Sequence, residues 1–232
     1  GNGAFMTTLK DARELAELMV AIGRNSGRST VAVVSDMNQP LGYAVGNALE
    51  VKEAIETLRD QGPSDLREHC IKLAGHMLHL SGKSDSVSSG SKLASKTLKD
   101  GSAFQALRKM VSAQGGDIKY IDNPEQLDHA EIITTINSSQ DGFLSRMDAI
   151  NIGKAAVMLG AGRERKNDPI DLDVGIVVHQ KVGSHINVGD PLFTIHANNS
   201  EKVAPATEEA LAGIEVKIEK VSELPLHYDV IE

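Results

Sequence analysis

The sequence contains no tryptophan, and aromatic residues make up only 3% of its 232 positions. Aliphatic side chains must therefore fill its cores. The shortage of flat rings also argues against the stacking platforms that hold single-stranded nucleic acids. There is one cysteine, Cys70, which excludes an internal disulfide framework and a CxxC metal site and suits a reducing, cytoplasmic setting. Cys70 falls on the apolar face of a candidate helix and reads as a small core residue. No apolar run approaches the roughly 20 residues of a membrane-spanning helix, and no signal peptide is visible, so no membrane partner is expected. Positive charge is in deficit: 24 Lys and Arg against 32 Asp and Glu leave a net charge of −8. Such a surface repels a phosphate backbone, so nucleic acid is not an expected partner.

Familiar catalytic signatures are missing too. No Gly-x-Ser-x-Gly elbow occurs. Gly1-Asn2-Gly3 could open a phosphate-cradling loop, but position 6, where a dinucleotide fingerprint needs its third glycine, is Met6, and no Walker lysine follows. His69, His76 and His79 share one candidate helix without the i, i+4 spacing of a helical zinc pair. The residues alone thus mark no catalytic machinery. The chain also opens on glycine without an initiating methionine, and so reads as a trimmed piece of something longer.

What is present is a hydrophobic fraction of 41%, enough for packed cores. Thr8 with Asp11 begins a helix whose apolar positions are Ala12, Leu15, Ala16, Met19 and Ile22. Val31 to Val34 reads as a short buried strand. Asn47 and Glu50 form a capping pair for a helix bearing Ala48, Val51, Ile55 and Leu58. The next helix carries Leu66, Cys70, Leu73, Met77 and Leu80 on one face. A Ser-rich connection, 84–90, leads to two shorter helices, 93–98 and 104–111. After Gly115-Gly116 the character changes. Strands are expected at 132–136, 175–178, 191–195 and 214–218, with helices at 150–159 and 207–211. The boundary falls within 117–140, dividing the chain into 1–126 and 127–232.

The segment from Ser35 to Glu53 carries the most chemistry. If Asn47 caps its helix, the carbonyls from Leu41 to Ala44 lie outside that helix and need partners. A hard cation could satisfy them, with Glu53 adding charge. Water and ordinary backbone hydrogen bonds could do the same.

Several long strings resemble the pyrimidine-nucleoside phosphorylase family, and thymidine phosphorylase in looser form. They are Gly1-Asn2-Gly3-Ala4-Phe5-Met6, the run from Ser35 to Gly42, the run from Val45 to Val51, the run from Asp171 to Ile176, and Gly189-Asp190-Pro191-Leu192-Phe193. The resemblance spans essentially the whole chain. It implies an α/β fold, here the latter part of a large α/β lobe over 1–126 followed by the family's C-terminal α+β domain over 127–232. It implies a pentosyltransferase in which phosphate displaces the base of a pyrimidine nucleoside, and a homodimer. The family's phosphate loop and base-holding Arg, Ser and Lys precede the Gly1–Met6 string, so no catalytic residue is expected in this chain, which by itself would be inactive. Phe5 matches a position lining the base pocket. Leu41, Ala44 and Glu53 match three ligands of a structural potassium ion, the first two through backbone carbonyls; the family's remaining ligands precede the Gly1–Met6 string, so the resemblance implies an incomplete site here that holds potassium weakly or not at all. The competing expectations are a strict thymidine phosphorylase and a stand-alone binding module, since the glycine-punctuated strands loosely resemble lipoyl and biotinyl carriers.

Overall fold

The computed structural model describes residues 1–163 and 165–232. The first region is helical. Helix α1 (Leu9–Asn25) starts as the sequence requires: the Thr8 hydroxyl oxygen accepts the Asp11 N–H at 3.1 Å and donates to the Asp11 carboxylate at 2.8 Å. Strand β1 (Ala32–Ser35) and the two-residue strand β2 (Ala44–Val45) precede α2 (Asn47–Leu58) and α3 (Ser64–Leu80). Helices α4 (Val87–Lys99), α5 (Ser102–Ala113) and the single turn α6 (Lys119–Asp122) follow.

Three local expectations change here. The serine stretch is not a connection: Ser86 caps α4 by accepting the Ser89 N–H while Ser89 reaches back, so Val87 to Gly90 is already helical. Cys70 is exposed rather than a core residue, and Met77 on the same face is 69% exposed. Helix α3 buries Gly75 and His76 instead, because it crosses α4 where both helices are thin. A Cβ on Gly90 would lie 2.6 Å from the Gly75 carbonyl oxygen. Two glycines at a crossing bring backbones together and turn the face with the larger side chains outward.

The second region builds the sheets. Strand β3 (Ile132–Asn137), β4 (Gly142–Met147), helix α7 (Ala149–Leu159), β5 (Gly175–Val178), β6 (His185–Ile186), β7 (Pro191–Ala197), α8 (Ser200–Ala212), β8 (Ile214–Lys217) and β9 (His227–Ile231) follow in order. Helix α8 is longer than expected, because Pro205 sits within it and masks its helical pattern. The strand orders are β2-β5-β7-β3, β6-β4-β8 and β1-β9, and all these pairings are antiparallel.

One continuous core unites Leu144 and Met147 of β4, Ile152 and Leu159 of α7, Ile176 and Val178 of β5, Phe193 and Ile195 of β7, and Ala206 and Ala210 of α8. The two regions exchange strands. β2 joins the sheet of the second region as its edge, while β9 returns to pair with β1. So β1 is not a deeply buried central strand; of its residues only Val34 is buried, and its partner is the last strand of the chain. The mixed α/β class expected from the sequence holds.

Candidate functional site

The residues singled out by the sequence gather along the chain from Ser35 to Glu53, at the seam between the regions. Asp36 organises its first part. Its carboxylate accepts the Asn38 N–H at 3.0 Å, the Asn38 side-chain amide at 2.7 Å and the Tyr228 hydroxyl at 2.9 Å. Burial, followed by the hydrogen bond to Asp36, raises the Tyr228 pKa above the ordinary phenol value. The Asn38 carbonyl accepts the first N–H of α7, from Ala149, at 3.0 Å. The Gln39 side chain accepts the Val182 N–H at 2.9 Å. Backbone bends that would otherwise be loose are thereby fixed from both regions.

The Gly1-Asn2-Gly3 loop packs onto this segment. The Gly3 N–H donates to the Met37 carbonyl at 2.9 Å, and the Asn2 side chain donates to Asp148, the cap of α7, at 3.0 Å. A Cβ on Gly3 would lie 2.7 Å from the Met37 oxygen and 2.9 Å from Ala149. Its glycine is accounted for by the protein's own chain. Phe5 stands 98% exposed at the rim of an apolar cleft of about 400 Å³, which Met6, Leu9, Leu15, Val33 and Tyr228 also line.

Past Pro40 the chain turns sharply. Gly42 adopts φ of 69°, a left-handed conformation that favours glycine, and a Cβ there would collide with the Glu53 carboxylate. The Tyr43 carbonyl accepts the Val178 N–H, so Ala44, one residue on and opposite Val177, occupies a non-hydrogen-bonded position of the ladder. Its N–H and C=O therefore point away from β5, off the sheet edge. Glu53, nearly two turns into α2, reaches this edge: its Oε1 accepts the Tyr43 N–H at 2.7 Å and the Ala44 N–H at 3.0 Å. Burial raises the Glu53 pKa, although these two N–H groups and the Lys181 charge oppose the rise. The carbonyl of Leu41 accepts no hydrogen bond among the described residues. The two N–H bonds thus bring Ala44 and Glu53 together, and Leu41 lies two residues before Tyr43 on the same turn.

The device that does so differs from the expected one. Asn47 is not the cap of α2. Gly46 occupies the cap position without a side-chain bond, and Asn47 is the first helical residue, donating to the Ala161 carbonyl at 2.9 Å. Packing decided this: Gly46 presses so closely on Val174 and Gly175 that a Cβ would lie 2.5 Å from the Val174 oxygen. Glu50 does serve the helix start, accepting the Gly46 N–H at 2.9 Å. The turn stays outside the helix because Ala44 and Val45 are a strand.

Two residues at this turn escaped sequence reading. Lys181 Nζ donates to the Pro40 carbonyl at 2.6 Å and to the Gly42 carbonyl, pairs with Asp65 at 2.9 Å, and lies 5.1 Å from the centre of the Tyr43 ring. Asp65 also accepts the Gly42 N–H at 3.1 Å. Neither is near the turn in sequence, so no local spacing announced them. Among the described residues, no three His, Cys, Asp or Glu side chains converge on a common metal position, and no helix is long and apolar enough to cross a membrane.

Comparison with known proteins gives this geometry a context. Residues 1–104 match the glycosyl transferase family α/β domain, and residues 143–217 match the pyrimidine nucleoside phosphorylase C-terminal domain. The whole chain is 44% identical over 231 residues to a pyrimidine-nucleoside phosphorylase of Geobacillus stearothermophilus, covering 53% of that protein. It is 42% identical over 232 residues to one from Staphylococcus haemolyticus and 41% identical to one from Staphylococcus aureus, again covering 53% of each. The chain therefore spans about half the length of these relatives. Both matched domains lie in order along the chain, and the chain belongs to the pyrimidine-nucleoside phosphorylase family.

Proposed function

We propose that this chain serves in the phosphorolysis of pyrimidine nucleosides, in which phosphate displaces the base to give free pyrimidine and a pentose 1-phosphate. The observation that carries the reading is the ordered match of both regions to proteins of that name, at more than 40% identity along the full chain. It favours a pyrimidine-nucleoside enzyme over a strict thymidine phosphorylase, and over a stand-alone binding module. In this reading the chain contributes the cleft beside Phe5, which lines the base pocket, and the turn at Leu41, while the phosphate and base anchors come from the half of the relatives that it does not match. Catalysis of this kind rests on positioning and charge stabilisation, so the chain by itself is inactive. A homodimer in the cytoplasm completes the proposal.

The turn offers three oxygen donors toward a structural potassium ion, whose remaining ligands come from the half of the relatives that the chain does not match. Among the described residues the Leu41 carbonyl accepts no hydrogen bond and Glu53 Oε2 accepts none while Oε1 serves two N–H groups, and the register turns the Ala44 carbonyl off the sheet edge. Oxygen donors of this kind suit a hard cation. When bound, the ion supplies charge neutralisation at Glu53 and stiffens the turn.

The test is phosphate-dependent release of uracil from uridine and thymine from thymidine. The 232 residues alone are expected to release neither, and any longer polypeptide from which they derive is expected to release both. Turnover by the 232 residues at the rate of the longer protein overturns the division of labour. Failure of the longer protein on both substrates overturns the function.

A further inference from the structure

The Pro40–Tyr43 turn already holds a cation of the protein's own. We propose that the Lys181 ammonium is the resident cation of this turn, supplied by the second region to a cradle built by the first, and that it is the positioning residue that presents Leu41, Ala44 and Glu53.

The ligand set is that of a monovalent cation. A lysine ammonium has three N–H donors, and three acceptors meet them: the Pro40 and Gly42 carbonyls and the Asp65 carboxylate. The Tyr43 ring adds a π face within 5.1 Å, a distance at which a ring attracts a cation. The side chain is only 19% exposed, so these contacts replace water rather than supplement it. Two backbone carbonyls two residues apart can converge in this way because Gly42 is left-handed. Asp65 binds both the ammonium and the Gly42 N–H, locking the turn to the first turn of α3. The carbonyls used, Pro40 and Gly42, are not those proposed for potassium, Leu41 and Ala44. The turn thus has two ligand sets, one with a tethered cation and one open.

Lys181 follows β5 on the loop that also sends the Val182 N–H to Gln39. The second region therefore grips the turn at two adjacent points. Losing the ammonium would leave two carbonyls and a carboxylate pointed at a space the size of an ammonium group, and a small cation of similar size can fill it.

The experiment uses the 232-residue chain and thermal melts. Lys181→Met, which keeps the stem and removes the charge, is expected to lower Tm by about 5–10 °C. Lys181→Ala is expected to fall as far and to recover on adding ethylammonium or propylammonium chloride, but not on adding equal tetramethylammonium chloride. A Lys181→Met protein that melts with the parent overturns the proposal, because the stem alone then suffices. Equal recovery of Lys181→Ala in every salt overturns it as well, because that response is ionic screening. If both variants fail to fold, the parent decides: with 15N-labelled lysine, one ammonium signal should persist at neutral pH through slow proton exchange, and its absence overturns the proposal. Glu53→Gln separates this site from the potassium reading. It is expected to abolish any response of the parent to potassium while leaving alkylammonium rescue of Lys181→Ala intact. Loss of that rescue would make the two sites one and overturn the proposal.

Discussion

The two regions bury their apolar residues in different ways. Residues 130–210 close around one core in which Leu144, Ile152, Ile176, Phe193 and Ile195 are wholly inaccessible. In residues 1–126 burial is scattered over Val20, Val34, Ile55 and Ile121, and long apolar side chains stay in solvent, with Leu18, Met19 and Ile22 of α1 each 57% exposed. The helices of both regions are amphipathic. The difference lies in what faces them: α7 and α8 pack on sheet and on each other, whereas α1 lies against a two-stranded ribbon. A helix gains stability from a covered face more than from its own propensity, so the second region carries the fold and the first is held to it at the seam.

The sharpest way to break this comparison is to truncate one residue on each side. Phe193→Ala removes a ring at the centre of the core and is expected to cost about 3–5 kcal/mol. Met19→Ala is expected to change stability by no more than about 0.5 kcal/mol. Urea unfolding of both variants measures the contrast, and similar losses would mean that α1 is covered in solution. The seam comes next. Gly46, at φ of 141° and against Val174, leaves no room for a side chain. Gly46→Val should cost about 2–4 kcal/mol, and limited proteolysis should then cut first between the regions.

Protons act on the other seam, where β9 returns. His69 of α3 and His227 of β9 stack with rings 2° from parallel and ring nitrogens 3.2 Å apart. One ring must accept, so the pair cannot hold both second protons. Burial, then Lys72, His69 and His76, lower the His227 pKa to about 4, and burial and Lys72 lower that of His69. Between that value and the ordinary histidine range the unfolded chain binds more protons than the folded one. The stabilisation is therefore complete above the ordinary range and is lost as pH falls through it toward 4. His227→Phe should flatten Tm between pH 7 and pH 5, and an unchanged slope would remove the pair from the account.

The smallest effects sharpen the turn itself. In the longer protein that supplies the remaining ligands, Glu53→Ala should reduce the rise in Tm with potassium. Glu50→Ala should cost no more than about 1 kcal/mol, as a helix-start contact, and should leave the potassium response as it was. Melts of both variants in potassium and tetramethylammonium chloride distinguish the roles, and identical behaviour would place Glu53 outside the cation site.

Legibility followed locality. Thr8 and Asp11 determine their own cap, because both partners lie within one turn and need nothing else. The strands at 132–136, 175–178, 191–195 and 214–218 were readable because a sheet covered on one or both faces imposes its own pattern. Residues 227–231 were not, since His227, Tyr228 and Asp229 carry little apolar signal and the strand exists only where β1 receives it. Cys70 misled for a related reason. The α3 pattern is amphipathic, but the face that packs is chosen by the thin crossing at Gly75 and Gly90.

The same division runs through the candidate site. Sequence by itself determined that 41–44 forms a turn ahead of a helix, that Glu53 lies on that helix, and, through long shared strings, which family the chain joins. Only the tertiary structure decided that Gly46 and not Asn47 sits at the cap, because the constraint is contact with Val174. It alone brought Asp65 and Lys181 to the turn. A carbonyl left free by local structure has a definite need for a partner, but the partner can come from anywhere in the chain, and an ammonium 140 residues away leaves no periodic trace beside the carbonyls it satisfies.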